Sequence, residues 1–149
     1  MSISLNTNEY FMKEALKEAQ KAFDKDEIPI GAVVVCNDQV IARAYNNTEV
    51  LNDVTAHAEM LAFTSAADYL GGKYLHDCTL YVTLEPCMMC AGASYWTQIS
   101  KLVFGAHDEK RGFSKLNQKI LHPTTIIQGG IMEIECRQLL QDFFKKKRN

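Results

Sequence analysis

Three short, almost uninterrupted apolar runs dominate the middle of this chain, at 32–36, 79–83 and 102–105. Runs of this length, rich in Val, Leu, Tyr and Phe, match strands buried on both faces and are too short for buried helices. Stretches with helical periodicity lie around them. Phe11, Met12, Ala15, Leu16, Ala19 and Phe23 share one face of a predicted helix over 9–23. Pro29 and Gly31 break it. Residues 56–70 are good helix formers that stop at Gly71-Gly72, with Asn52, Asp53 and Thr55 as candidate N-caps. Pro86 suits the first turn of a further helix over 87–98, and 132–147 read as the last one. Asn37-Asp38 has turn chemistry, so 32–36 and 40–45 are expected to pair as an antiparallel hairpin. The stretch 106–124 is less regular, with a short helix expected at 114–120 and a fifth strand at 124–128. Strands alternating with helices predict an α/β fold in three layers, α/β/α, around a five-stranded mixed sheet. No repeat, low-complexity segment or linker interrupts residues 1–149, so one domain is expected.

Composition narrows the function classes. The N-terminal residues are polar and lack the basic-then-apolar order of a signal peptide, and no apolar stretch approaches membrane-spanning length. A cytoplasmic location without membrane partners is the expectation. The five cysteines, Cys36, Cys78, Cys87, Cys90 and Cys136, are odd in number and irregular in spacing, a poor disulfide framework. In a reducing compartment they are thiols or metal ligands. Cys36, Cys78 and Cys136 sit in apolar surroundings and read as small core residues. A net charge of −2 excludes whole-chain electrostatic attraction to nucleic acid. Any such site must be local, and the run Lys145, Lys146, Lys147, Arg148 is the candidate.

Two short motifs carry chemistry: His57-Ala58-Glu59 and Pro86-Cys87-Met88-Met89-Cys90. Cys87 and Cys90 are three apart at an expected helix start, so both sulfurs face one side. His57 lies near the start of the preceding helix. If the two helix starts meet, one imidazole and two thiolates converge, and helix N-termini favour the thiolate form. That donor set suits Zn2+. Three protein ligands leave a fourth position open, the pattern of a catalytic zinc, where a bound water is acidified from about 15.7 to roughly 7. Glu59 is then placed to shuttle protons. Taken alone, Cys-x-x-Cys also fits a redox pair or half of a four-thiolate structural site. The first usually opens a thioredoxin-like unit, and the second needs another close cysteine pair, which the chain lacks. Together the motifs match the zinc nucleobase-deaminase signature. His76, His107 and His122 lack ligand spacing and read as surface or hydrogen-bonded residues.

At these residues the chain resembles the cytidine deaminase-like superfamily, and within it the bacterial tRNA adenosine deaminases. The similarity runs from Glu9 to Phe144 and is most specific over 79–93, with support from 28–32, 55–59 and 103–106. The resemblance implies hydrolysis of the wobble adenosine of a tRNA anticodon loop to inosine, with a zinc-held hydroxide attacking C6 and Glu59 protonating the ring and then the leaving amine. It implies further that Asn46 hydrogen-bonds the nucleotide. The backbone N–H of Ala58 and the segment Leu84-Glu85 would line the base pocket, and Ile28 and Ile30 would form apolar walls. One zinc per subunit and a homodimer gripping the anticodon loop across its interface belong to the same expectation. The chain departs from the family at Tyr95-Trp96, which is more similar to guanine deaminases, and over 111–125. A free-base or nucleoside deaminase (guanine, cytosine or adenosine) and a non-catalytic zinc module therefore stay open as alternatives. At the C-terminus Phe143 and Phe144, followed by Lys145 to Arg148, offer stacking faces and cations to an anticodon loop. The same residues also fit core aromatics followed by a solvated helix end.

Overall fold

The computed structural model describes residues 7–148. The first helix, α1 (Asn8–Asp24), is capped by Thr7, whose hydroxyl accepts the Tyr10 N–H at 3.1 Å. Strands β1 (Gly31–Cys36) and β2 (Gln39–Tyr45) form the expected hairpin, turning through Asn37 and Asp38, both at positive φ. They are followed by α2 (Ala58–Leu70), β3 (Cys78–Leu84), α3 (Met88–Thr97) and β4 (Lys101–Ala106). A single 3-10 turn (Phe113–Lys115), β5 (Ile126–Gln128) and α4 (Glu133–Arg148) complete the order. The helix expected over 114–120 is therefore only that turn. Gly71 ends α2 in the left-handed conformation, as Gly does where a side chain would be strained.

The sheet runs β2-β1-β3-β4-β5. β1 pairs antiparallel with β2 and β3, while β3–β4 and β4–β5 are parallel. Alternate side chains of one strand enter opposite layers. Val34, Leu80, Val82, Leu102 and Phe104 pack with Ala62, Phe63 and Ala66 of α2 and Ala91 of α3. Val33, Val35, Tyr81 and Val103 pack with Phe11, Met12 and Ala15 of α1 and Cys136 of α4. The layers are thus α2/α3, sheet, α1/α4, and the continuous apolar runs follow from burial on both faces.

Three local expectations are corrected. The N-cap of α2 is His57, not Asn52, Asp53 or Thr55, and its side chain makes no capping bond. The Asp53 carboxylate instead accepts the N–H and hydroxyl of Thr55, closing a turn ahead of the helix. Pro86 precedes the N-cap of α3, Cys87, rather than occupying its first turn. Cys36 and Cys78 are not separate thiols: they form a disulfide. They lie 42 residues apart in sequence, yet antiparallel β1 and β3 place them opposite each other in register, with Cα atoms 4.6 Å apart. Cys136 is a buried thiol, and burial pushes its pKa up to about 12.

Gly31 lets α1 lie directly on β1. A Cβ there would collide with the Ala15 carbonyl oxygen and the Ala19 nitrogen, both helix backbone that cannot swing aside. Gly31→Ala is expected to destabilise the fold by about 1–3 kcal/mol or more. A denaturation midpoint equal to that of the unsubstituted chain would show that α1 is less closely seated than described.

Candidate metal centre

The sheet delivers two helices, α2 and α3, with their N-termini at one place. His57 caps α2 and Cys87 caps α3, and neither side chain turns back to bond its own helix. Both are therefore free to point outward from helix ends whose first N–H groups lack intrahelical partners. Cys90, one turn into α3, brings its sulfur to the same point. His57 Nδ1 lies 3.7 Å from Cys87 Sγ and 3.5 Å from Cys90 Sγ. Their donor atoms all fall within 4.8 Å of one another, so the three residues form a group that could hold a metal ion. Two sulfurs and one imidazole nitrogen are the soft-to-borderline donors that transition metals such as zinc prefer. Because Nδ1 faces the sulfurs, ligation through it requires the ring proton on Nε2.

Proton affinities within the group are strongly unequal. The Cys90 thiol and the His57 ring beside it pull Cys87 down to about 4, against its partial burial. Cys90 moves the opposite way, because it bonds to the Cys87 sulfur and is itself buried, and so keeps its proton. Without an ion the pair thus carries one thiolate, on the more exposed sulfur. His57 is raised, chiefly by its bond to Cys87. Glu59, in the first turn of α2, is 4% exposed, and burial lifts its carboxyl to about 7. A carboxyl poised near neutrality, beside three donors of this kind, can take up and return a proton.

These residues lie at the foot of a cleft of about 640 Å³, a size usual for small-ligand sites. His57, Glu59 and Cys87 line it, together with Ile28, Ile30, Asn46, Leu84 and Glu85. Asn46 is 4% exposed, and no hydrogen bond engages its side-chain amide among the described residues. Ala58 is fully buried and is not part of the lining; its backbone N–H is the first of α2. At the C-terminal end the aromatic pair divides. Phe144 is exposed and lines the cleft. Phe143 is buried against Phe23 with ring centres 5.8 Å apart, which corrects the expectation that it stacks on RNA: its face on α4 points to α1. Lys145, Lys146, Lys147 and Arg148 are all exposed, but Lys147 pairs with Asp26 at 2.6 Å, and Lys146 sits over the Phe23 ring. His76 and His122 are surface residues bonded to Gln98 and Thr124, whereas His107 joins the cleft wall.

Two cleft features depend on the fold rather than on local spacing. Lys110 and Arg111 are gathered with His107 and Asp108 into one wall. Glu27, fully buried, and Glu85, 2% exposed, hold the loops that form the walls. Nothing in a single sequence marks Glu27, a carboxylate in a polar turn, as an interior residue.

Comparison with known proteins bears on the same residues. A family model for MafB19-like deaminases matches residues 5–148. The tRNA-specific adenosine deaminase of Aquifex aeolicus (strain VF5) is 46% identical over 146 residues, covering 95% of this chain and 96% of its own. A solved structure from a study of A-to-I editing by tRNA:A34 deaminases at the wobble position of transfer RNA superposes with a TM-score of 0.83 at 43% identity, covering 88% of this chain and 99% of that one. The guanine deaminase of Bacillus subtilis superposes with a TM-score of 0.65 at 40% identity, over 68% of this chain and 65% of its own. By near-complete coverage in sequence and structure, and with a metal-capable His-Cys-Cys group beneath its cleft, the chain belongs to the MafB19-like deaminases and, within them, to the tRNA-specific adenosine deaminase family.

Proposed function

We propose that this protein hydrolyses the wobble adenosine of a tRNA anticodon loop to inosine at the His57, Cys87, Cys90 and Glu59 centre. The observation that carries this reading is the meeting of three metal-capable donors with one buried carboxyl at the foot of a nucleoside-sized cleft. Relatives named for that activity span almost the whole chain. His57, Cys87 and Cys90 would hold a zinc ion, which when bound supplies Lewis acidity and an acidified water. Glu59 would hold a proton at its carboxyl and give it to the purine ring nitrogen, then take up the proton left on the oxygen that water adds to the ring and return it to the amine, which departs as ammonia. Asn46 hydrogen-bonds the nucleotide through its unengaged amide. Ile28, Ile30 and Leu84 enclose the base and exclude water, and the free Ala58 N–H points a helix N-terminus at the oxygen that replaces the amine.

An anticodon loop presents unpaired bases that can be splayed into such a cleft. Phe144 offers a stacking face at its mouth. Lys110 and Arg111 in the wall, with Lys145 and Arg148 beyond, offer cations to phosphates. A homodimer is part of the proposal. Met88, Tyr95 and Trp96 leave a large exposed apolar surface along α3, of the kind that marks an interface. No helix among the described residues is long and apolar enough to cross a membrane, and a cytoplasmic site of action fits a tRNA substrate. A second reading, deamination of free guanine, is favoured by the Bacillus subtilis neighbour and by Tyr95-Trp96.

The deciding assay compares ammonia release from an anticodon stem-loop with release from free guanine, cytosine and adenosine. Inosine in the stem-loop is the expected product, and turnover of guanine with none of RNA would replace the first reading by the second. Activity on the stem-loop should also fall steeply as salt is raised, because each phosphate contact adds a power of roughly 0.7 to the salt dependence for single strands. Glu59→Gln is expected to keep metal and to lose activity by about 10²–10⁴-fold, and a variant that still turns over at the original rate would remove Glu59 from the proton path. Zinc uptake should grow tighter as pH rises. Cys90 must surrender its proton, and so must His57 wherever it is an imidazolium, a range extended upward by its raised pKa. Calorimetry in buffers of different ionisation heat should find more protons released per ion at about pH 6 than at about pH 9. Release independent of pH would contradict this assignment.

A further inference from the structure

Glu27 and Glu85 are the same device built twice. Each is a carboxylate sealed inside the protein, and each spends both oxygens on backbone N–H groups of a loop that walls the cleft. Glu27 accepts from Glu49 at 3.0 Å and Val50 at 2.7 Å. Glu85 accepts from Asp108 at 3.0 Å and Ser114 at 2.9 Å. A carboxylate without a cationic partner is costly to bury unless its lone pairs are met, and here backbone amides meet them.

The loops themselves need these anchors. Between β2 and α2 the backbone bonds of Leu51, Asn52 and Asp53 go to Asn47, Glu49 and Thr48, within the loop itself; the Asn46 N–H ties the start of the loop to the Ile30 carbonyl, and Glu27 ties its middle to the body of the protein. Glu27 is in turn fixed by its own N–H, which donates to the Ala22 carbonyl at the end of α1. On the opposite wall, Gly112 passes so close to the Glu85 carboxylate that a Cβ would collide with it. The same stretch forms a bridge from Gly112 to Cys87 and a bond from the Phe113 N–H to the Pro86 carbonyl. One loop runs from Asn46 to His57 and the other docks on Cys87, so each wall is joined to the metal centre at one end and to a buried carboxylate along its length.

We propose that Glu27 and Glu85 are a pair of positioning residues that set the spacing of the two cleft walls and thereby how tightly the RNA loop is held, without entering the reaction below. This rests on the reading of the cleft as an RNA-loop site. A carboxylate that merely supported the fold would alter stability and leave the balance between binding and turnover unmoved.

The test uses the full, metal-loaded chain and an anticodon stem-loop with adenosine at the wobble position. Glu27→Gln and Glu85→Gln keep side-chain volume but turn one acceptor oxygen toward its backbone N–H as an amide that cannot accept. Each is expected to raise KM about tenfold, the loss of one charged hydrogen bond, with kcat within about twofold and metal content as in the unsubstituted protein. Glu27→Asp, which keeps both oxygens one methylene back, should restore part of the lost KM. An unchanged KM, or a fall in kcat alone, overturns the proposal. Amide hydrogen exchange gives an independent reading on the unsubstituted protein, whether or not the variants fold. The Glu49, Val50, Asp108 and Ser114 amides should be protected although they lie in or beside loops, and exchange as fast as in an open loop overturns the proposal. Absence of stem-loop turnover by the unsubstituted enzyme would instead overturn the functional reading, and the exchange result would still judge the clamps.

Discussion

Everything at this site depends on two helix N-termini being aimed at the same point without side-chain caps. An ordinary N-cap satisfies its own helix with a short polar side chain. Here the two cap positions hold His57 and Cys87, which leave their helices uncapped and turn to each other and to Cys90. The helix ends supply partial positive charge to the thiolate on Cys87, and the sheet holds α2 and α3 on one face so that the ends cannot drift apart. A site on helix ends seated against a five-stranded sheet is rigid by construction, as chemistry requiring donors at fixed distances demands.

The surrounding charges are arranged with equal economy. Glu59, Glu27 and Glu85 are all buried carboxylates, but their surroundings assign them different work. Burial lifts Glu59 to about 7 against the opposing pull of its own backbone N–H, the His57 ring and the Cys90 thiol, which makes it a proton carrier. Glu27 and Glu85 are each met by two backbone N–H groups and serve as anchors for loops. The same functional group thus takes up different work according to what surrounds it: metal-capable donors around Glu59, loop amides around Glu27 and Glu85.

Much of the fold was legible because periodicity reports burial. The apolar runs at 32–36, 79–83 and 102–105 became the three central strands β1, β3 and β4, and the helical faces of 9–23 and 56–70 became α1 and α2. What failed was decided by pairing across long separations. The Cys36–Cys78 disulfide depends on the register of β1 against β3, which no local spacing expresses. The turn ahead of α2 took Asp53 for itself and left the cap to His57. Phe143 and Phe144 are adjacent and chemically alike, and only the packing of α4 on α1 decides that the first is core and the second borders the cleft.

By itself the sequence determined the layer order, the existence of a metal-capable donor set and the presence of a carboxyl beside it. Residue types and short spacings encode these, and both survive without knowledge of distant contacts. Tertiary structure alone decided that the donors converge, that Glu59 is buried enough to titrate near neutrality, and that Glu27 and Glu85 grip opposite walls of one cleft. Convergence and desolvation are properties of groups brought together from far along the chain, and a linear pattern carries no measure of either.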